Sequence, residues 1–175
     1  AAQGPATSRS HACGYPPFQD PEFFTTDSNR ARWHGEAFPL VVDWIYPVLS
    51  TQDKQTIRAV FLRWSQEIVA SGYHHPEPVG LVTDPSLLTQ AQVRWSGNNY
   101  FTAHMRNLGM MALALDPDDD PGNQLRNYLS NATGAWLYVF DHLTRTDSLG
   151  GLLPEGFEYS PQSASYAAQF LLALR

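Results

Sequence analysis

Apolar residues recur at helical spacing along most of this chain. Val41, Trp44, Ile45 and Val48 fall at i, i+3, i+4 and i+7, one face of a helix predicted over roughly Glu36 to Leu49. Pro47 lies inside that span and predicts a kink or an early end. Ser50 then acts as N-cap of a second helix, with Asp53 in its first turn, where a negative charge suits the helix dipole. Its stripe is Ile57, Val60, Phe61, Trp64 and Ile68, and Gly72 marks its end. A third helix is predicted over Asn98 to Leu115, with Phe101, Met105, Leu108, Ala112 and Leu115 on one face. Asp120-Pro121 supplies an N-cap and a Pro at N1 for a fourth, whose inward positions are Leu125, Leu129, Ala132, Trp136, Val139, Phe140 and Leu143. Ser160-Pro161 repeats that device and opens the last helix.

Between these elements the pattern breaks. Residues 1–30 are rich in Pro, Ser, Thr and Gly and predict an extended arm, which leaves 31–175 as the helical domain. Residues 73–97 and 145–160 carry Pro and Gly and predict long loops, the first with a short helical turn at Ser86–Gln92. Asp116–Asp120 is a tight acidic connection. No segment shows sustained strand alternation with hairpin chemistry, so the fold class is all-α, built of antiparallel helical hairpins. Short connections join the first helix to the second and the third to the fourth. Long ones precede the first, third and fifth. In a stack of antiparallel hairpins the long loops then share one end, and function tends to gather where such loops converge on a rigid scaffold.

Composition narrows the classes. The 175 residues suffice for one domain with a core. A hydrophobic fraction of 43% excludes disorder for most of the chain, while 16% charged residues is low for a self-sufficient helical domain. The net charge is −6 and no basic stripe exists, which argues against a nucleic-acid partner. Cys13 stands alone, so neither an intrachain disulfide nor a cysteine-based zinc site can form. No HExxH-type spacing supports a metal. No apolar run reaches the roughly 18 residues of a membrane span. The N-terminus does not read as a signal peptide, which is consistent with a mature secreted chain. The apolar stretch from Tyr166 to Arg175 has no C-cap signal, and predicts either a longer parent protein or a partner that covers the last helix. Asn131-Ala132-Thr133 fits the glycosylation pattern but falls in mid-helix and reads as chance.

The long-loop end carries a particular inventory. The first loop holds Arg30, Arg32, Trp33 and His34, with Glu36 just beyond. The second holds Tyr73, His74, His75 and Trp95 and leads into Asn98, Asn99 and Tyr100. The third holds Glu155, Phe157, Glu158 and Tyr159. Aromatic rings that stack on sugar faces, beside amides, carboxylates and arginine that meet hydroxyls, are what a carbohydrate site needs. Plainer readings stand beside this one. Trp44, Trp64 and Trp136 lie on helix stripes and read as core. Asn98 reads equally as an N-cap, His104 as a satisfied helix histidine, His142 as a dipole partner at a helix C-terminus, and His74-His75 as polar loop.

Three motifs resemble one family. Phe38–Leu49, with Val42-Asp43-Trp44-Ile45-Tyr46 and then Leu49-Ser50, is similar to the "YDWLY…LS" hairpin of heparinase II/III-like and alginate-lyase-like proteins. Trp95-Ser96-Gly97-Asn98-Asn99-Tyr100 resembles that family's "NNH" helix start, and Gly150 to Tyr159 its "DG…EG..Y" loop. The resemblance spans roughly 30–175 and implies part of an incomplete (α/α) toroid. It implies a polysaccharide lyase that cleaves uronic-acid glycans by β-elimination, with no cofactor and no metal. Carried over, Asn99 or Asn98 neutralises the C5 carboxylate, Tyr159 is the tyrosine acid or base, and Glu155 is the loop carboxylate. Tyr100 stands where the family has its histidine, and His104, one turn on, is a substitute for it. Trp33, His34, Trp95, Asn98 and Arg106 are candidates to contact the glycan. The resemblance also implies a secreted, periplasmic or cell-surface location.

Two other readings stay open. A glycoside hydrolase on the same architecture needs two facing carboxylates, Glu155 with Glu36 or Glu158. A non-catalytic helical module binds glycan or assembles with copies of itself, or with the missing remainder of the toroid, through the apolar C-terminal helix. The charge of −6 opposes long-range steering of a polyanion. A local patch of Arg30, Arg32, Arg94 and Arg106 would offset it; otherwise the glycan is neutral or lightly charged.

Overall fold

A computed structural model describes residues 26–70 and 89–175, and among these every regular element is helical. The helices are α1 (Thr26–Ile45), α2 (Thr51–Ala70), α3 (Gln90–Trp95), α4 (Asn99–Leu113), α5 (Gln124–Tyr128), α6 (Gly134–Arg145) and α7 (Gly156–Ala173). Short 3-10 turns cover Tyr46–Val48 and Pro117–Asp119, and a π-helical turn over Leu129–Thr133 joins α5 to α6. The end of α2 expected at Gly72, and His74-His75, lie outside the described residues.

Helix α4 sits at the centre. Every residue from Phe101 to Ala112 is buried. Glycine makes this possible on two sides. A Cβ on Gly35 of α1 would lie 2.1 Å from Asn107 Nδ2, and one on Gly109 would lie 2.1 Å from the Phe170 ring of α7. Helix directions follow from the order of contacts. Gly35 and Glu36 meet Asn107 and Arg106, while Pro39, Leu40 and Asp43 share a cavity with Met110, Leu113 and Ala114, so α1 and α4 run the same way. Glu155 meets Asn99, Gln169 meets Arg106 and Phe170 meets Gly109, so α7 runs that way too. The path from α5 to α6 runs back along α4. Arg126 donates to Leu115 O (3.3 Å), Thr133 Oγ1 to Met105 O (3.0 Å) and Trp136 Nε1 to Ser96 O (3.0 Å).

Capping fixes the helix ends. At α2, Asp53 N donates to Ser50 Oγ (3.2 Å) and Ser50 N to Asp53 Oδ2 (3.0 Å), a reciprocal box. The acidic connection after α4 serves α2 as well. Lys54 pairs with Asp119 at 3.0 Å and Arg58 with Asp120 at 3.0 Å, and Tyr46 donates to Asp119. Asp120 Oδ2 also accepts from Leu125 N and Arg126 N. Asp120 thus satisfies N–H groups of the first turn of α5, but the expected Asp120 N-cap with Pro121 at N1 is not formed: a turn with Gly122 and Asn123 at positive φ (81° and 54°) delays the helix to Gln124 and puts Asn123 at the N-cap position.

Several expectations need correction. The arm over 1–30 gives way at Thr26, where α1 begins ten residues before the predicted start at Glu36. Arg30, Arg32, Trp33 and His34 therefore lie on a helix, not in a loop. The last helix starts at Gly156 rather than Ser160, so Phe157, Glu158 and Tyr159 are helical and Pro161 falls inside the helix. The largest correction concerns Trp44. It is 74% exposed, and Val41, Ile45 and Val48 are exposed with it. The face that α1 buries is instead the one carrying Gly35 and Val42. Trp64 and Trp136 are core as expected.

These placements predict unequal tryptophans. In chemical denaturation, Trp64→Ala is expected to cost about 3–5 kcal/mol, as a large core truncation does. Trp44→Ala is expected to stay within about 0.5 kcal/mol. Equal costs would refute the assigned faces. The Asp119 carboxyl gives a pH signature. Hydrogen bonds from Tyr46 and then Lys54 hold its pKa below the ordinary 3.8. A depressed carboxyl stabilises fully above that ordinary value and loses its contribution as pH falls through the depressed one. Asp119→Asn should therefore flatten the acid limb of stability against pH. An unchanged limb would show that the cluster contributes nothing.

Candidate functional site

Two loops end at neighbouring helix starts, and this brings the expected residues together. The turn after α3 delivers Asn98 as the N-cap of α4, its Oδ1 accepting from Tyr100 N (3.0 Å) and Phe101 N (3.2 Å). The loop after α6 delivers Glu155 to the same point, just before Gly156, whose φ of 75° turns the chain into α7. The Glu155 carboxylate accepts from Asn98 Nδ2 (2.9 Å), from Asn99 N (2.6 Å), and from Asn99 Nδ2 through both oxygens (3.1 and 3.0 Å). Asn99 is 2% exposed. The arrangement is a cradle of amide donors at a helix N-terminus, where backbone N–H groups and the dipole both favour a negative group. Its occupant is the chain's own carboxylate.

The other candidates are distributed around this point. Tyr100 is half-buried beside it, Tyr159 lies one turn into α7 and is 40% exposed, and Trp95 is 38% exposed at the end of α3. Phe157 is more exposed still. His104 is on the Tyr100 side of α4 but buried in the interior. Trp33 and His34 are on α1, their side chains outside the described set. Among the described residues, no cluster of His, Cys, Asp and Glu forms a metal site.

Arg106 belongs to a different place. It lies seven residues beyond Asn99 on the same face of α4, roughly 10 Å along the axis. The guanidinium is 1% exposed. Its Nη1 donates to Glu36 Oε2 (2.9 Å) and Gln169 Oε1 (2.6 Å), its Nε and Nη2 donate to Asn107 Oδ1, and the Tyr166 ring covers it at 4.3 Å. Gln169 Nε2 closes the ring by donating to Glu36 Oε1 (3.1 Å). This network borders a cavity of about 410 Å³ between α1, α4 and α7. The positive patch expected of the arginines is not realised by those whose side chains are described, since Arg94 pairs with Asp147 (3.3 Å) and Arg106 with Glu36. Sequence reasoning missed Gln169. It reads as one polar residue in an apolar run, and only the parallel course of α4 and α7 gives it a partner.

No family model matches the chain, and neither a curated protein nor a solved structure matches it.

The cradle makes a stability prediction. Glu155→Ala leaves the Asn98 and Asn99 donors without their carboxylate and should cost roughly 1–3 kcal/mol in thermal or chemical denaturation. Added formate should recover part of the loss in that variant while leaving the wild type unmoved. Wild-type stability in Glu155→Ala would show that the donors need no carboxylate.

Proposed function

We propose that this chain is a carbohydrate-active helical domain, part of an (α/α) toroid, that acts on a uronic-acid glycan by β-elimination. The observation that carries the reading is the meeting of Asn98, Asn99 and Glu155 at the shared start of α4 and α7. Two of the three motifs that resemble lyases, around Asn98-Asn99 and Glu155, are distant in sequence and supply this one cradle. Three parallel helices, with α2 and the α5–α6 path as returns, suit an arc of a two-layered ring. No described helix is long and apolar enough to cross a membrane, and the proposed setting is secreted, periplasmic or cell-surface.

In this reading the uronate carboxylate takes the donors that Glu155 now holds. Neutralising it lowers the cost of carbanion character at C5, because the developing charge spreads onto a carboxylate already bound by amide N–H groups. A tyrosine takes the C5 proton, the C4–O bond breaks, a C4–C5 double bond forms, and a proton goes to the leaving oxygen. Tyr159 and Tyr100 are assigned these transfers in preference to the buried His104. Trp95 offers an exposed ring for a neighbouring sugar. Neutralised arginines and a net charge of −6 favour a lightly charged glycan over a dense polyanion. The hydrolase alternative pairs Glu155 with Glu36 or Glu158, and it is weaker because the Glu155 carboxylate is held by Asn98 and Asn99 and that of Glu36 by Arg106 and Gln169. A non-catalytic assembling module draws support from the exposed Val41, Trp44, Ile45 and Val48.

The test is incubation with a panel of uronic-acid glycans while ultraviolet absorbance of unsaturated products is followed. Absorbance should rise, and Asn99→Ala or Tyr159→Phe should lower the rate by about two orders of magnitude, the size of one lost charge-stabilising donor for Asn99 and of one acid–base group for Tyr159. Reducing ends without absorbance would favour the hydrolase. No product with any glycan, together with a concentration-dependent mass in light scattering, would favour assembly.

A further inference from the structure

Because α1, α4 and α7 run the same way, their last turns gather at the end of the molecule opposite the cradle. The cavity of about 410 Å³ lies between those turns. That volume is within the range of small-molecule sites. Its chemistry selects among ligands. The cation on its wall, Arg106, is already committed to Glu36, Gln169 and Asn107, so an anion finds no free donor there. No aromatic ring lines it, which removes the stacking surface a sugar would use. A cation is favoured. Glu36 and Arg106 cancel, and Asp43 leaves one negative charge on the lining. Asp43 is exposed, and among the described residues no hydrogen bond or ion pair engages its carboxylate. The C-terminal turns of three helices add partial negative charge on the same side. The remaining walls are largely aliphatic, with Leu40, Met110, Leu113 and Leu172 among them.

We propose that this cavity binds a small organic cation, a primary ammonium carried on an aliphatic body. The ammonium sits against Asp43 and the outer side of Glu36, which is 31% exposed, and the body lies along the leucines and Met110. The site is separate from the cradle and does not depend on the glycan reading. The experiment is calorimetric titration and thermal shift of the full chain with n-hexylammonium chloride, sodium hexanoate and 1-hexanol. Hexylammonium should bind and raise the melting temperature, and hexanoate should do neither. Asp43→Asn, at an exposed position, should keep the wild-type melting temperature and weaken hexylammonium about threefold to tenfold, the effect of one partly exposed charge pair. No binding of hexylammonium, equal binding of hexanoate or hexanol, or an unaltered affinity in Asp43→Asn would each overturn the proposal. None of these results would touch the ultraviolet assay, so the two readings fail separately.

Discussion

The structure depends on burying a guanidinium. Arg106 sits in the middle of a helix that is covered on all sides, and a charge placed there is tolerable only when its donors are met. Asn107 meets one edge from within α4, Glu36 and Gln169 meet another from α1 and α7, and Tyr166 closes a face. Removing one partner of a fully buried pair costs about 3–5 kcal/mol. Glu36 remains partly exposed, so its own share is smaller. The network still ties three helices that are distant in sequence to one point. Apolar packing alone would let α1 and α7 slide along α4; a fork of N–H groups with assigned acceptors does not.

That pinning has a polarity. Helices held in parallel put like ends together, so N-termini gather at one end and C-termini at the other. A carboxylate, Glu155, closes the first end, and the cavity with Asp43 lies at the second. The same face of α4 carries Asn99 near its start and Arg106 in its middle. Two ends of opposite electrostatic character thus follow from one packing arrangement, without any cluster of like charges in the sequence.

How much of this was legible depended on the kind of signal. Helix type, the all-α class, the Ser50 and Asn98 caps and the burial of Trp64 and Trp136 all rest on local spacing, and the sequence shows them. Asn98, Asn99 and Glu155 were singled out by motif, and the structure joins them. The boundaries were harder. Pro161 looked like a helix start, yet α7 accommodates it in its interior after beginning at Gly156. Arg106 was expected near the glycan, but its partners come from residues 70 and 63 positions away, a pairing that no local pattern encodes.

Trp44 is the most instructive failure, because its pattern was correct and its meaning was not. Val41, Trp44, Ile45 and Val48 do share a face, but a helix packed through glycine has two candidate faces. Gly35 lets the α1 backbone approach Asn107 closely, and a large side chain on that side would prevent it. The smoother face therefore goes inward and the bulkier one outward. Periodicity finds the apolar face, while close approach decides which face is buried. An outward face of that kind needs a cover in any stable assembly, since apolar area exposed in one stripe favours association. The 16% charged fraction points the same way: few charges are available to keep such a surface apart from others. A ring in which further helical pairs flank α1 would bury Trp44 without altering the contacts that α1 already makes to α4.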